Sequence, residues 1–279
     1  MYPSWIIKKI PKSPNIKKIR ELINDDTIHT VCESAKCPNI GECFSKKTVT
    51  FMILGDVCTR NCGFCAVKKG SPLPVNENEP KTIAKAVKNL KAKYAVITSV
   101  TRDDLPDGGA GVFFQTIKEI GKINEDAKIE VLIPDFLGKK ENISKVLDAQ
   151  PYVLNHNLET VPRLYKKIRP NSDYERSLYV LKFAKTTKNS LYTKSGIMVG
   201  LGERKDEVLS LMEDLRKVEC DVFTIGQYLQ PSSNQVKVEE FIKLELFEEY
   251  KSIGKKLGFK RVFSGPFVRS SYKASEIDD

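Results

Sequence analysis

The chain has 279 residues, a formal net charge of +10, 41% apolar residues and 29% charged residues. That length can bury a full core in one α/β domain, and the apolar content with low Pro plus Gly argues against disorder. No apolar run is long enough to span a bilayer, and the short patch 5–7, between Met1 and the pair Lys8 and Lys9, lacks the features of a secretory signal.

Strand-like and helix-like patterns alternate from residue 48 onward. Residues 48–54 read as a buried, β-branched strand, and 81–90 as a helix with Ile83, Ala84, Val87 and Leu90 on one face. A second strand at 94–100 is followed by a helix at 112–123, with Phe113, Ile117 and Ile120 on one side. A third strand covers 129–133, a short helix 142–147, and a fourth strand 152–157. Helices are expected around Leu164 and over 178–184, then a fifth strand at 191–199, a helix at 208–218 and a sixth strand at 222–228. A long helix at 241–257 and a short strand at 259–263 complete the pattern, with no internal repeat.

Alternation of β and α implies a parallel sheet with right-handed crossovers. Six or so units fall short of a closed barrel of eight. The expected fold is therefore an α/β partial (β/α)6 barrel over residues 48–263. An amino-terminal extension, 1–47, and a carboxy-terminal one, 264–279, are expected to lie over its mouth. Functional side chains should sit on loops after the strands, as in other α/β barrels.

Six of the seven cysteines fall between residues 32 and 65. Cys58, Cys62 and Cys65 have the spacing C-x3-C-x2-C directly after the first strand. Three thiolates on one loop can hold three irons of a cubane and leave the fourth open to a substrate or cofactor. A structural zinc site or an electron-transfer cluster normally closes with four ligands. Cys32, Cys37 and Cys43 form a second triplet, C-x4-C-x5-C. Disulfides are the alternative for an even set of six, but nothing looks secreted, and a reducing cytoplasm favours metal. Cys220 stands alone before a strand and reads as a packed thiol, as do His29 and His156 as packing histidines.

Taken together, these triplets and several further motifs resemble the lipoyl synthase family of radical S-adenosylmethionine enzymes. The motifs are Thr-Ser-Val-Thr-Arg-Asp-Asp-Leu-Pro-Asp-Gly-Gly-Ala at 98–110 and Asn-His-Asn-Leu-Glu-Thr-Val-Pro-Arg-Leu-Tyr at 155–165. Arg-Ser-Leu follows at 176–178, Lys-Ser-Gly-Ile-Met-Val-Gly-Leu-Gly-Glu at 194–203 and Ile-Gly-Gln-Tyr-Leu-Gln-Pro-Ser at 225–232. The last is Gly-Pro-Phe-Val-Arg-Ser-Ser-Tyr at 265–272. The resemblance spans nearly the whole chain, and it too implies a partial barrel of the radical SAM type.

The resemblance implies two [4Fe-4S] clusters and two S-adenosylmethionine molecules per lipoyl group. Cys58, Cys62 and Cys65 would hold the catalytic cluster, whose open iron chelates the cofactor. An electron from it would cleave the sulfonium and release a 5′-deoxyadenosyl radical. Cys32, Cys37 and Cys43 would hold an auxiliary cluster, the sulfur source, completed by Ser271. Backbone groups at Thr98, Ser99 and Val100 would meet the methionyl amine, and Arg176 the carboxylate. Asn157 and Glu159, two apart on a strand end, would share a face toward the ribose. Gly200 and Gly202 would let the chain approach the adenine.

The implied reaction inserts two sulfurs at C6 and C8 of an octanoyl chain already bound to a carrier lysine. Unactivated C–H carbons need a radical, so the lack of any evident general base or nucleophile fits. The implied partners are octanoylated lipoyl carrier domains, namely 2-oxoacid dehydrogenase E2 subunits and the glycine cleavage H protein. A flavodoxin or ferredoxin reductant and iron–sulfur reassembly proteins would serve the clusters, in the cytoplasm. No nucleic acid or membrane partner is expected: the lysines are spread over helix faces and no RNA-recognition or helix-turn-helix signature accompanies them. An acidic carrier is the sharper reading of the charge, against plain solvated faces. Two alternatives are a biotin synthase relative acting on a free small molecule and a basic iron–sulfur protein that binds RNA or shuttles electrons. The latter would need closed clusters.

Overall fold

The computed structural model describes residues 3–7, 11–23 and 28–278; Met1, Lys8 and Lys9 of the amino-terminal patch lie outside the described residues. The chain divides into two compact units, one of residues 9–60 and 66–153, the other of residues 1–8, 61–65 and 154–279.

The first unit opens with α1 (Pro14–Ile23), β1 (His29–Thr30), α2 (Val31–Ser34) and α3 (Ile40–Ser45). Then come β2 (Thr50–Ile53), the small parallel pair β3 (Val57–Cys58) and β4 (Lys68–Lys69), and α4 (Glu79–Leu90). The strands β5 (Tyr94–Ser99) and β6 (Lys128–Leu132) follow, separated by α5 (Ala110–Ile123), with α6 (Lys140–Asp148) last. The sheet order is β1-β2-β5-β6. β2, β5 and β6 are parallel, whereas β1 is antiparallel to β2, pairing His29 with Met52 and Thr30 with Phe51. Residues expected only in an extension thus supply an edge strand that covers the first barrel strand, a usual remedy for an open sheet edge. Every residue of β2 is buried, as its unbroken apolar run requires of a strand covered on both faces.

In the second unit, β7 (Val153–Asn155), whose first residue belongs to the first unit, leads to the helices α7 (Tyr165–Ile168) and α8 (Tyr174–Thr187). The strands β8 (Tyr192–Val199), β9 (Val222–Gln227) and β10 (Arg261–Gly265) alternate with α9 (Lys205–Lys217) and α10 (Leu244–Lys256). Their order is β7-β8-β9-β10, and β8, β9 and β10 are parallel. A core of Ile197, Leu211, Met212, Leu215, Phe223 and Phe247 fills the space between strands and helices.

Most boundaries differ from expectation by one to four residues, as at the start of α8 and of α9, and two of the shifts bear on the site. The fourth strand stops at Asn155 rather than 157, and the chain then turns, with Glu159 in a left-handed backbone (φ 64°). The last long helix begins at Leu244, since Lys243 is extended and the amide of Ile242 is taken by the Gln227 side chain at 2.8 Å. Among the described residues, no helix is long and apolar enough to cross a membrane.

Candidate active site

In the first unit, the loop between β3 and β4 starts at Cys58. Its Sγ accepts the amides of Thr101 at 3.3 Å and Arg60 at 3.4 Å. Two backbone N–H groups thus converge on one sulfur and fix where it sits. Thr101 follows β5, so the loops after two neighbouring strands meet at this thiol. Thr98 directs its hydroxyl to the carbonyl of Leu132, 3.1 Å away, which ties it to β6. Ser99 Oγ is buried with no hydrogen-bond partner among the described residues, a donor left for a ligand. Val100 is buried.

The upstream triplet lies in the same unit. Cys32 is on α2, whose first turn is capped by Thr30, and Cys43 is on α3. Cys37 sits in the turn between them, its amide bonded to the Cys32 carbonyl at 2.9 Å. Burial pushes the Cys32 thiol up to about 12, with the neighbouring Cys37 and Cys43 adding to the rise. Cys37 and Cys43 thus act on Cys32 electrostatically, and a cationic cluster that binds the thiolates as their protons are released would offset this. Among the described residues, no three His, Cys, Asp or Glu side chains converge on a position for one metal ion. A cubane asks for something else, since each thiolate sits on a different iron. Soft thiolate donors suit iron–sulfur clusters, so both triplets fit the group.

In the second unit, Cys62 and Cys65 close a turn, the Cys65 amide donating to the Cys62 carbonyl at 3.2 Å. Gly63 anchors this turn through its amide to the Ile168 carbonyl at 2.9 Å and its carbonyl to the Val236 amide at 3.0 Å. A Cβ on Gly63 would meet Val236 Cγ1 at 3.0 Å, tighter than ordinary contact, so a side chain there would have to displace Val236. Gln235 Nε2 adds a bond to the Cys65 carbonyl.

A polar chain runs from β7 into the carboxy-terminal motif. Asn155 Nδ2 donates to Ser270 Oγ at 2.7 Å, and Ser270 Oγ donates to Asn157 Oδ1 at 3.0 Å. Asn157 Nδ2 donates to Glu159 Oε1 at 3.1 Å. Asn157 and Glu159 thus come together through a turn and a side-chain bond rather than through strand alternation. Desolvation raises the Glu159 carboxyl, opposed by Arg169, Asn157 and Arg269. Ser271 is in the turn closed by the Tyr272 amide on the Arg269 carbonyl.

Arg169 is a residue that sequence reasoning missed. It is buried, and Nη1 donates to the carbonyls of Asn157 and Leu158 and to the Tyr165 hydroxyl. Desolvation works against its charge, but Tyr165, Glu159 and Cys62 hold its pKa above the usual value. Its Nε has no partner among the described residues. The Arg-Pro pair at 169–170, just past a short helix, was the available signal. Arg176, by contrast, stands in the first turn of α8, with its amide capped by Asp173 at 2.7 Å.

Gly200 and Gly202 have φ of 94° and 101°, open only to glycine without strain. At Gly200 the chain itself fills the space: a Cβ would lie 2.2 Å from Gln227 Nε2 and 2.4 Å from the Glu240 carbonyl. The Glu203 carboxylate accepts the amides of Gly200 and Leu201, so its side chain closes this turn. Cys220 is wholly buried, its S–H directed to the Val222 carbonyl, and burial pushes its thiol up to about 12. His156 is buried and His29 half-buried on β1.

Residues 52–215 match the family model described as the Radical SAM superfamily. In fold, the chain is similar to methylornithine synthase, with a TM-score of 0.57 and 14% identity over 90% of this chain and 75% of that one. It is also similar to Streptococcus suis SuiB bound to S-adenosylmethionine, with a TM-score of 0.61 and 11% identity over 81% of this chain and 53% of that one. These likenesses agree with the expected partial barrel of α/β type. In sequence, the chain is 57% identical to a lipoyl synthase of Caldicellulosiruptor saccharolyticus, over 98% of this chain and 96% of that protein. It is 51% identical to a lipoyl synthase of Aquifex aeolicus, over 97% and 98% of the two chains. With two thiol triplets, a parallel α/β fold and such identity end to end, the chain belongs to the lipoyl synthase family of the radical SAM superfamily.

Proposed function

We infer that this chain is a sulfurtransferase that converts a carrier-bound octanoyl-lysine to lipoyl-lysine by inserting sulfur at C6 and C8. The observation that carries the reading is the presence of two separate cysteine triplets in a chain with end-to-end identity to lipoyl synthases. When bound, the clusters and S-adenosylmethionine supply an electron, a carbon radical that removes hydrogen, and the sulfur. The chain's own residues hold and orient. Cys58, Cys62 and Cys65 would carry the catalytic cluster, with the Thr101 and Arg60 amides donating to the Cys58 sulfur. Cys32, Cys37 and Cys43 would carry the auxiliary cluster, with Ser271 as the fourth ligand.

Asn157 and Glu159 would take the ribose hydroxyls, presented as a bonded pair. Ser99 offers an unused hydroxyl toward the methionyl end, near the backbone of Thr98 and Val100, and Arg176 would take the carboxylate. Gly200 and Gly202 would shape the adenine side through the tight turn they permit. Residues 1–47 would act as the auxiliary-cluster segment, 48–263 as the barrel and 264–279 as the extension carrying Ser271. The carriers are lipoyl domains of 2-oxoacid dehydrogenases and the glycine cleavage H protein. The reductant is a flavodoxin or ferredoxin, reassembly proteins restore the auxiliary cluster, and the setting is the cytoplasm.

The test is mass spectrometry of an octanoylated carrier domain after incubation with reconstituted protein, reductant and S-adenosylmethionine. Gain of two sulfurs, with two 5′-deoxyadenosines released, is expected. Sulfur gain on free octanoic acid or another free acid, with none on the carrier, would replace this reading with that of a small-molecule enzyme.

A further inference from the structure

Arg60 stands two residues after Cys58 and two before Cys62, and the roles given so far use only its backbone amide. Its side chain is 4% exposed. Nε and Nη2 donate to the two oxygens of Asp103 at 2.6 and 2.9 Å, and Nη2 also donates to Asp135 Oδ1 at 2.6 Å. Asp103 lies beyond the end of β5, and Asp135, fully buried, lies beyond the end of β6. One guanidinium in the loop after β2 is thereby fastened to the loops after the next two strands of the sheet. The backbone repeats the fastening. The Thr59 amide and hydroxyl both donate to the Thr101 carbonyl at 3.0 Å, and the Asp103 amide donates to Thr59 Oγ1 at 3.1 Å.

Burying Arg60 and Asp135, with Asp103 left partly in solvent, is a poor way to gain stability, because desolvating the buried charges offsets much of their attraction. It is a good way to fix geometry, since the forked guanidinium satisfies both carboxylates in one orientation only. What this geometry fixes is the Thr101 amide on Cys58 Sγ at 3.3 Å. Hydrogen bonds to cluster sulfurs favour the more negative, reduced state and raise the reduction potential.

We propose that Arg60 is a positioning residue whose ionic clamp with Asp103 and Asp135 holds the Thr101 amide on Cys58 and so sets the reduction potential of the catalytic cluster. This rests on the reading that Cys58, Cys62 and Cys65 hold that cluster. The test is an electron paramagnetic resonance titration of the reconstituted full-length protein at fixed ambient potentials. The catalytic cluster is identified as the signal that S-adenosylmethionine shifts. If no wild-type signal shifts, the reading of the cluster fails, whatever the variants do.

Arg60→Lys keeps the charge but loses the fork. Its ratio of reduced to oxidised cluster at a given potential should fall about tenfold, equal to ~59 mV for a one-electron couple. Asp103→Asn removes a negative charge, which by charge alone would raise that ratio; with the clamp broken the ratio should fall. A ratio within twofold of wild type in Arg60→Lys overturns the proposal, as does a raised ratio in Asp103→Asn. Should Arg60→Lys fail to keep iron, the direction in Asp103→Asn decides alone.

Discussion

Gly226, on β9, lies directly against the carboxy-terminal motif. A Cβ added there would lie 2.0 Å from the Val268 carbonyl oxygen, 3.0 Å from its carbon and 3.1 Å from Arg269 Nη1. Ordinary contact begins at 3.4 Å, so in Gly226→Ala the Val268 backbone must retreat by about 1.4 Å. That carbonyl is not free to turn aside, because it accepts Arg269 Nη1 at 2.6 Å, while the preceding Pro266 carbonyl accepts the Gln227 amide. Overpacking of this kind costs about 1–3 kcal/mol. The same retreat would carry Ser270 out of hydrogen-bond range of Asn155 and Asn157, now 2.7 and 3.0 Å away, losing about 1 kcal/mol per bond. Ser271 would move with it.

Misplacement of a catalytic group by about 1 Å can cost on the order of 100-fold in rate. The expected result for Gly226→Ala is a folded protein with a lower unfolding midpoint. Its sulfur insertion should fall about 100-fold, with S-adenosylmethionine cleavage reduced less than tenfold. Thermal unfolding and a single-turnover assay of both products measure this. Unchanged sulfur insertion despite the lower midpoint would refute the idea that the 265–272 segment must sit where Gly226 allows it.

Three other outcomes are expected. Cys62→Ala should abolish S-adenosylmethionine cleavage, whereas Cys37→Ala should keep it and lose sulfur insertion; equal loss of cleavage in both would end the division of labour between the triplets. If the +10 charge serves an acidic carrier, carrier affinity measured by titration calorimetry should weaken from low to high salt as surface charges are screened over ~8–10 Å, and a short octanoyl-lysine peptide should change far less. Glu207 is drawn down from 4.5 to about 2, chiefly by its hydrogen bond with Arg163. A depressed folded-state pKa gives stability that is present above 4.5 and lost as pH falls toward about 2, so denaturant midpoints should drop across that window in wild type and less so in Glu207→Gln.

The alternation of apolar β-branched runs with amphipathic helices was enough to place the parallel strands, because burial on both faces leaves a mainly apolar signature, with few charged residues, at 50–53, 94–99 and 222–227. The cysteine spacing was enough to point to incomplete clusters, because thiolate ligands crowd on short loops whatever the fold around them. The terminal Arg-Ser-Ser-Tyr could be read only as a family mark. Tertiary structure decided the rest. That Ser270 joins Asn155 and Asn157, that Arg169 rather than Arg176 is the buried cation beside Glu159, and that Arg60 clamps the loops after three strands depend on residues distant in sequence. A local pattern reports which face of an element is apolar. It carries no record of which charge or hydroxyl will face which partner once loops from separate strands are folded to one end of the sheet.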